Sequence, residues 1–548
     1  MTHERGAAPL PPWAADPADR TDTPPALGDL LVAAAHRWPD RTAIDDGADS
    51  YTFAQLERGA RAIASRLTRR GVGAGDRVVV LARKRAVMPM VAVAVWKCGA
   101  VYVPLDAAEP EERLRELLAR LRPAAVITLD DRDPEVPGAY RLDEERLAGM
   151  LSEPASAHAT VAHRPEAAAY IVFASGATGE PQGAEISVAG LTAHFTGQNE
   201  VLGFTAESRV LSLTPFHFDV SLEDTLLPLS VGAFVRQFRG LAAGAVIRSV
   251  IARRRITHLI AVTLLLTLIT GDGRQITAAK LPSLELVLTG AQVCDTEVLR
   301  VWTRALPGVR MVHAFGPPEA TIFSLTHEIG PEDAERMTTC PVGRPLRGTQ
   351  VKIMRDGLEL DRPGVPGELW VGGAQVMRGY FDQPEETARL VVDLDGTRYF
   401  RTGDICSYDS DGNVVLHRHE DRRVTWLAGR RTHLNEITRA ARRVPGVERA
   451  TAAVVRRGGR DVVALAVVSP ERRVITEVTE RLRGILPEPL RPALVAWSPA
   501  VSAAADAEPD ERLLIQRLTT AAQRSESPCF ALSAEGAVET IDEVESCR

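Results

Sequence analysis

The chain has 548 residues, of which 45% are hydrophobic and 25% are charged, values typical of a globular protein that exclude a fibrous or disordered one. Its length is too great for a single hydrophobic core and predicts two or three domains. The formal net charge of -7 provides no broad positive field for a phosphate backbone, so we expect no nucleic acid partner.

Three features predict a cytoplasmic protein with no membrane partner. The N-terminal residues are polar and rich in proline, unlike a signal peptide. The most apolar run, Leu259–Ile269, is shorter than the roughly 20 residues that a membrane helix requires, and it predicts a buried strand or helix. The six cysteines form no CxxC pair, which disfavours a zinc site or a disulfide framework and fits a reducing compartment.

In chain order, residues 1–26 lack apolar periodicity and predict a flexible lead-in. Over residues 27–419, amphipathic helical patterns alternate with short apolar strand patterns. The clearest helical and strand patterns are, in turn, Phe53–Arg69, Val78–Leu81, Glu111–Arg120 and Ala124–Ile127. This alternation predicts an α/β fold, with a large N-terminal body of several subdomains and mostly parallel sheets.

Residues 420–523 have a different pattern, which predicts a small α+β C-terminal domain. Helices are expected over 434–443 and 476–485, and strands over 450–455 and 462–468. Residues 524–548 are acidic and weakly apolar, and they predict a flexible tail.

A glycine- and hydroxyl-rich loop follows the strand pattern Tyr170–Ala174. Its sequence, Ser175 to Gly183, reads SGATGEPQG. Glycines let successive backbone N–H groups converge on an anion, and hydroxyls add donors, so the loop suits a polyphosphate. An ordinary glycine-rich turn is the alternative. No Walker or dinucleotide-binding motif occurs in the strand–loop–helix context that it would need.

Six motifs, read in order, resemble those of the adenylate-forming superfamily, and in particular those of nonribosomal peptide synthetase adenylation domains. They are YTFAQL from Tyr51, WKCGAVYVPLD from Trp96, the loop from Ser175, FDVS from Phe218, AFGPPE from Ala314 and YFRTGD from Tyr399.

The resemblance implies that ATP and Mg²⁺ are the cofactors. It assigns catalysis to Glu319 and Thr178, with Glu319 as the metal ligand, since a carboxylate is a suitable ligand for Mg²⁺. Asp404 would accept the ribose hydroxyls, and Arg418 would lie beside the ribose. A surface glutamate and a turn aspartate are the plainer interpretations of Glu319 and Asp404. The other implied ATP-binding residues are Ser175, Gly176, Ala177, Gly179, Gly183, Gly290, Ala314, Phe315 and Gly316.

The resemblance also implies that the small domain moves on a hinge at Glu420 or Asp421. The segment from there to Gly429 carries extra residues relative to the family pattern. A solvated charged turn is therefore the alternative for the two acids.

Asp219 is the residue that points to an amino acid substrate. Amino-acid-activating members of the superfamily pair an aspartate at this position with the α-ammonium group, and a buried carboxylate is costly without a cation. A helix N-cap beside Ser221 is the alternative. The implied pocket also includes Glu223, which would favour a basic or hydrogen-bond-donating side chain or would instead point outward to an arginine. The remaining implied pocket residues are Phe218, Val220, Thr263, Leu288, Gly290, Ala314, Ile322 and Phe323.

Three positions around the phosphates depart from the family pattern. Gln182 replaces a lysine in the loop, and Pro318 replaces a threonine beside Glu319. No lysine follows Lys352, although the family places a catalytic lysine near the end of the small domain; Arg512 is the nearest replacement. Losing one such charge typically costs about 3 kcal/mol of transition-state stabilisation.

The predicted function is ATP-dependent activation of an amino acid to aminoacyl-AMP, with release of pyrophosphate. The acyl group would then pass to the thiol of a carrier protein in trans, because the sequence contains no carrier motif. The alternative is a degenerate homologue that binds nucleotide, amino acid or a partner protein with little activation.

Overall fold

The computed structural model describes residues 26–129, 136–152, 159–176, 179–240, 243–290, 296–330, 334–335, 340–421, 423–427, 430–457, 460–498, 515, 518–520, 529–532 and 538–540. The predicted lead-in therefore falls almost entirely outside the described residues. So do Ala177, Thr178 and Arg512.

The chain divides into two compact units. Unit 1 comprises residues 1–107, 121–172 and 183–420. Unit 2 comprises residues 108–120, 173–182 and 421–548. Two short segments from the first half of the chain, one of them the predicted phosphate loop, thus belong to the same unit as the C-terminal residues.

A nine-stranded sheet forms one half of unit 1, and its central strands are parallel. In spatial order its strands are Arg344–Pro345, Leu325–Ile329, Arg310–Phe315, Leu286–Gly290, His258–Val262, Arg209–Ser212, Phe234–Gln237, Thr42–Asp45 and Ser50–Thr52. Parallel strands align their carboxyl ends along one edge, where α/β folds place their ligands.

A second, seven-stranded sheet is also mainly parallel. Its strands in spatial order are Gly379–Tyr380, Pro181–Ser187, Ala168–Ser175, Val101–Asp106, Arg77–Ala82, Ala125–Thr128 and Tyr140–Arg141. These two sheets confirm the predicted α/β class.

The large body also contains a six-stranded sheet that is antiparallel throughout, so the predicted, mostly parallel pairing holds for the other two sheets and not for this one. Its path runs through Leu358–Glu359, Thr349–Arg355, Gly367–Gly373, Thr397–Tyr408 and Val391–Leu394, and Val414–His419 also pairs with the fourth of these.

The described residues form α-helices in both unit 1 and unit 2. The predicted helix Phe53–Arg69 has those bounds, and it begins with a capping box between Thr52 and Gln55. The other helices are Val32–Arg37, Met88–Lys97, Glu111–Leu121, Glu144–Ser152, Val188–Leu202, Leu227–Ser230, Gly244–Arg254, Thr263–Thr270, Thr296–Ala305, Pro384–Leu390, Asn435–Arg442 and Val474–Ile485. Among the described helices, none is long and apolar enough to cross a membrane.

The apolar run Leu259–Ile269 combines both predicted structures, because its first residues lie in a parallel strand and its last residues in a helix. Leu264 and Leu268 on that helix are each 43% exposed. The prediction that the whole run is buried is therefore wrong. A helix on a sheet buries only one face, so the outer residues of an apolar helix reach solvent.

Unit 2 contains a five-stranded sheet with strands Arg449–Arg457, Arg460–Val468, Leu494–Ser498, Cys529–Leu532 and Val538–Thr540, and a hairpin of Val424–Leu427 and Arg430–His433. The last two strands of the sheet lie in the predicted flexible tail, so that prediction is wrong for those residues. Cys529 is disulfide-bonded, contrary to the expectation from cysteine spacing.

Candidate active site

Asp219 is a buried carboxylate without a cation. It follows the parallel strand Arg209–Ser212 and is 9% exposed. Its Oδ1 accepts a hydrogen bond from the Val220 backbone N–H at 2.9 Å, and within the described parts of the chain no basic side chain forms an ion pair with it. Burial raises the pKa of the Asp219 carboxyl to about 6, while the Val220 hydrogen bond and His194 oppose that effect.

Asp219 immediately precedes the helical residues Val220 and Ser221, which continue into the π-helix Leu222–Leu226. It therefore occupies the N-cap position, but its Oδ1 accepts from the first helical N–H, that of Val220, and not from the second or third N–H that an N-cap side chain usually binds. Short π-helical turns are frequent at functional sites, because the extra residue in the turn redirects side chains.

Glu223 lies on this π-helical turn, fully buried. Its Oε2 is 3.0 Å from Nε2 of His194, and its Oε1 accepts a hydrogen bond from Gln198 Nε2 at 3.3 Å. The alternative in which Glu223 points outward to an arginine is therefore wrong. The sequence analysis did not identify His194 or Gln198, which lie four residues apart on the helix Val188–Leu202 and so face the same side.

The hydrogen bonds of His194 fix the net charge of the His194–Glu223 pair. Nδ1 of His194 is 3.1 Å from the Phe323 carbonyl oxygen, which can only accept, and 3.4 Å from Gln375 Nε2, which can only donate. The shorter contact assigns the proton to Nδ1. One further proton lies between Nε2 and Glu223, whichever of the two holds it. The pair is consequently neutral overall, and Glu223 does not present an uncompensated negative charge.

The other implied pocket residues are brought together by the parallel strands. The strands His258–Val262, Leu286–Gly290 and Arg310–Phe315 are neighbours, and Gly290 pairs with both Val262 and Ala314. A Cβ on Gly290 would lie 2.1 Å from the Ala314 carbonyl oxygen, so this position requires glycine. The implied pocket residues Val220, Thr263, Leu288, Gly290, Ala314, Ile322 and Phe323 are all buried, whereas Phe218 is half-buried.

Glu319 is the second residue of the short 3₁₀ turn Pro318–Ala320, which follows the strand Arg310–Phe315. The Tyr380 hydroxyl donates a hydrogen bond of 2.7 Å to Glu319 Oε1. The second oxygen, Oε2, is buried and has no hydrogen-bond partner among the described residues. Pro318 is compatible with this turn because its fixed φ suits the first position of a helical turn.

The orphaned Oε2 of Glu319 fits a ligand of Mg²⁺. Mg²⁺ is usually held by one or two carboxylates together with the phosphates of a substrate. In the described part of the chain no cluster of three or more His, Cys, Asp or Glu residues could hold a metal by itself. A metal at Glu319 would therefore depend on oxygens that a nucleotide brings.

Asp219, Glu223 and Glu319 lie close enough that the two glutamates contribute to raising the pKa of Asp219. Unit 1 thus brings together the residues implied to bind the amino acid and the residue implied to bind the metal. Phe315 ends its strand half-buried, and a Cβ on Gly316 would lie 2.5 Å from the Ile322 carbonyl oxygen.

Asp404 lies in the strand Thr397–Tyr408, buried, opposite His419 of the neighbouring strand. Arg418 is on that neighbouring strand and is exposed. The division between the two units falls between Glu420 and Asp421. Asp421 is half-buried and accepts hydrogen bonds from Arg423 and His433 within unit 2, so a purely solvated turn does not describe it.

The predicted phosphate loop is shorter than its motif. Ser175 is the last residue of one strand, and the next strand begins at Pro181. Gly183 therefore lies within a strand, not in the loop. Gly179 adopts a left-handed conformation with φ of 77° and donates a hydrogen bond of 2.9 Å to the Gly176 carbonyl.

Gln182, at the position where the sequence resemblance predicts a lysine, packs beneath this loop. A Cβ on Gly176 would lie 2.5 Å from the Gln182 side chain, so the glycine makes room for it. Gln182 is buried, and its Nε2 has no hydrogen-bond partner among the described residues. The side chain at this position is thus a neutral donor without a partner among the described residues.

Glu436 is a second residue that the sequence analysis missed. In unit 2 the Ser175 hydroxyl donates a hydrogen bond to Glu436 Oε2, and Arg113 forms an ion pair with Glu436 Oε1. Next to them, Arg439 pairs with Glu180 of the loop. One sequence signal was available, because Glu436 is an acid on the buried face of an amphipathic helix, beside the buried residues Ile437, Ala440 and Ala441.

The family to which this chain belongs follows from its similarity to known proteins. Residues 31–381, more than half of the chain, match the family model described as AMP-binding enzyme. The chain belongs to this family, and within it to the adenylation domains of the nonribosomal peptide synthetase type.

Among curated proteins, the chain is similar to phenyloxazoline synthase MbtB of Mycolicibacterium paratuberculosis, with 32% identity over 92% of the chain and 43% of the relative. The chain spans less than half the length of the curated relatives that it matches.

Two solved structures share its fold. The first is holo-PA1221, a nonribosomal peptide synthetase protein with adenylation and PCP domains (TM-score 0.76, 24% identity, 90% of this chain and 84% of that one). The second is the Vibrio cholerae adenylation domain AlmE in complex with glycyl-adenosine-5'-phosphate (TM-score 0.74, 19% identity, 91% and 99%).

Proposed function

We propose that this protein activates an amino acid with ATP. A carboxylate oxygen of the amino acid attacks the α-phosphorus, a new oxygen–phosphorus bond forms, and the bond from the α-phosphorus to the bridging oxygen breaks. The products are aminoacyl-AMP and pyrophosphate. The observation that carries this proposal is Asp219, a buried carboxylate with which none of the described basic side chains forms an ion pair. The α-ammonium group of an amino acid would supply a cation.

Each element of the site has a role in this reaction. Glu319 would hold Mg²⁺ through its orphaned Oε2, and the ion, when bound, would offset the negative charge of the phosphates. The Gly176 N–H and the Gln182 amide would donate to phosphate oxygens, as would Thr178 and Ala177. Gly179, whose own N–H already bonds to the Gly176 carbonyl, would shape the loop. Asp404 would accept hydrogen bonds from the ribose hydroxyls, with Arg418 nearby.

The side chain of the amino acid is a further part of the proposal. The sequence reason for a basic side chain was an uncompensated carboxylate at Glu223. Since the His194–Glu223 pair is neutral overall, that reason no longer holds. The rest of the implied pocket is mainly apolar, so we propose a neutral side chain.

Transfer of the acyl group to a carrier-protein thiol is proposed by analogy. The curated relatives are synthetases, and the PA1221 structure is described as containing adenylation and PCP domains. A carrier that acts in trans remains the prediction from the sequence.

Binding without activation is a second candidate function. Two observations favour it. No lysine follows Lys352 in the sequence, and in unit 2 the Ser175 hydroxyl is already donated to Glu436. A phosphate oxygen would have to displace that carboxylate before the hydroxyl could bind it.

Amino-acid-dependent exchange of labelled pyrophosphate into ATP separates the two candidates. A panel of twenty amino acids, including lysine, arginine and ornithine, is tested at saturating ATP and Mg²⁺, with calorimetry of ATP and amino acid binding in parallel. Activation of one or a few neutral amino acids supports the proposal in full. Activation of a basic one retains the reaction and overturns the neutral side chain. Binding with no exchange establishes the second candidate, and neither binding nor exchange overturns both.

A further inference from the structure

The turn that carries Glu319 has an unusual backbone. Over Glu319–Phe323, Thr321 and Ile322 have φ values of 58° and 66°. Both residues are β-branched, and positive φ is disfavoured for such side chains because Cβ crowds the backbone. Two successive residues in this region persist only where surrounding contacts hold them. The turn matters because it has Glu319 at one end and the pocket residue Phe323 at the other.

Gln375 supplies several of the contacts that hold the turn. It is 1% exposed and lies between the strands Gly367–Gly373 and Gly379–Tyr380. Its Nε2 donates toward three carbonyl oxygens, those of Phe323 at 2.8 Å, Thr321 at 3.2 Å and Ala320 at 3.3 Å. The Thr321 hydroxyl in turn donates to the Gln375 carbonyl oxygen, and the Gln375 Oε1 accepts from the Thr349 hydroxyl.

Two residues after Gln375 in the sequence contact Glu319, at the beginning of the same turn. The Met377 backbone N–H donates to the Glu319 carbonyl oxygen at 2.7 Å, and the Tyr380 hydroxyl donates to the Glu319 carboxylate. Segment 375–380 therefore contacts the turn along its whole length.

His194 contacts Phe323, at the end of the turn. Its Nδ1–H shares the Phe323 carbonyl oxygen with Gln375, and its Nε2 pairs with Glu223. One buried chain of hydrogen bonds thus runs from the pocket residue Glu223 through His194 and the strained turn to Glu319.

We propose that Gln375 and His194 are positioning residues that hold the strained Glu319–Phe323 turn, so that the metal ligand and the amino acid pocket share one support. The roles of the metal and of the pocket rest on the proposed function. Neither Gln375 nor His194 touches the reacting atoms. Loss of the Gln375 amide lets Thr321 and Ile322 relax toward negative φ, which moves the Glu319 carboxylate and the Phe323 side chain together.

The test uses the full chain with Gln375→Met, which keeps the length of the side chain and removes its hydrogen bonds. The matched control is Gln350→Met, because Gln350 is exposed and its side chain accepts a hydrogen bond from the Tyr399 hydroxyl and from no residue of the turn among those described. Hydrogen–deuterium exchange of the peptide covering 316–325 is expected to rise about 10-fold in Gln375→Met and to stay unchanged in the control. Unchanged exchange in Gln375→Met overturns the proposal.

A second readout connects the turn to its two ligands. Calorimetry gives the ratio of the ATP dissociation constants without and with Mg²⁺, and pyrophosphate exchange gives KM for the activated amino acid. We call this ratio of dissociation constants the Mg²⁺ gain. We expect Gln375→Met to lower the Mg²⁺ gain about 10-fold and to raise KM about 10-fold, whereas His194→Leu is expected to raise mainly KM. A change in only one of the two quantities for Gln375→Met contradicts a shared support.

The result is separable from the proposed function. If the wild-type protein activates no amino acid, the proposed function fails, while hydrogen exchange and the Mg²⁺ gain still decide the role of Gln375. If Gln375→Met does not fold, Thr321→Val removes one hydroxyl and keeps the shape. It is expected to show the same two changes at about 3-fold, and no change in either overturns the proposal.

Discussion

The proposed amino acid site around Asp219 and the predicted phosphate loop from Ser175 differ in whether their polar groups already have partners. In unit 1, Asp219 is a buried carboxylate that pairs with no described basic side chain, and Oε2 of Glu319 is buried without a hydrogen-bond partner in the part of the chain that the structure describes. In unit 2, the Ser175 hydroxyl of the loop is already donated to the carboxylate of Glu436, which also pairs with Arg113. One region lacks a partner of opposite charge, and the other already holds an anion.

This difference separates two ways of preparing a site. At Asp219 the cost of burying a charge is present before the ligand arrives, so an ammonium group gains the full interaction. The Ser175 hydroxyl already donates to the carboxylate of Glu436. A phosphate that binds there therefore gains only the difference in free energy between its own hydrogen bond and the one that it replaces. We therefore expect substitutions at the amino acid end to have the larger effects.

Asp219→Asn is expected to have the largest effect, a loss of about 10³-fold in kcat/KM for the amino acid, because it removes the only acceptor charge proposed for the ammonium group. Steady-state pyrophosphate exchange measures it. KM for ATP should change little, and Asp361→Asn, at an exposed position, serves as the matched control. A loss of less than 10-fold would mean that the ammonium group binds elsewhere and would remove the contrast between the two regions.

Glu319→Gln is expected to lower the rate of exchange about 10²-fold. The amide keeps an oxygen that accepts from Tyr380 and replaces the orphaned Oε2 with a group that cannot bind a cation. The rate is measured as a function of Mg²⁺ concentration, and the half-maximal concentration should rise. An unchanged Mg²⁺ dependence would show that Glu319 is not the ligand.

The sequence predicted the fold better than it predicted the site. The helix Phe53–Arg69 was predictable because a Thr–x–x–Gln capping box and amphipathic spacing act within the segment itself. The strands in the tail were not, because weakly apolar residues form strands only where a sheet edge pairs with them.

At the site, motifs led to Asp219 and Glu319, but their environments depend on residues distant in sequence. His194, Gln375 and Glu436 lie outside the residues assigned by resemblance, and each is recognised only from a buried contact with a part of the chain far away in sequence. The charge of Glu223 likewise could not be predicted without its partner His194.

Asp219 is expected to lower the free energy of unfolding of the free protein, because its carboxyl is buried before a ligand binds. Burial raises the pKa of Asp219 from 3.8 to about 6, so the folded state takes up a proton more readily than the unfolded state. The ionised carboxyl therefore destabilises the fold, with a penalty that is absent below pH 3.8, grows as pH rises to about 6 and is complete above it. Asp219→Asn should stabilise the free protein by about 3 kcal/mol at pH 8.

Denaturant unfolding of wild type and Asp219→Asn, with Asp361→Asn as control, at several pH values from 4 to 8 measures this effect. The difference between wild type and Asp219→Asn should decrease as the pH falls and be nearly lost at pH 4. A variant that is destabilised at pH 8, or a difference independent of pH, would show that the buried carboxyl is already compensated.

The smallest expected effect belongs to the phosphate loop. Glu436→Gln replaces the anion bound by Ser175 with a neutral amide of the same shape, so a phosphate oxygen no longer competes with a carboxylate for the hydroxyl. We expect ATP to bind roughly 5-fold more tightly by calorimetry, since one charge-assisted hydrogen bond is weakened in the free state. Unit 2 should be less stable, because Arg113 loses its ion pair with Glu436 and keeps the one with Glu109, at 3.0 Å. Glu448→Gln, at an exposed position in the same unit, should change neither quantity. Weaker ATP binding in Glu436→Gln would instead show that Glu436 supports the loop in its nucleotide-binding form, and the two regions would then be prepared in the same way.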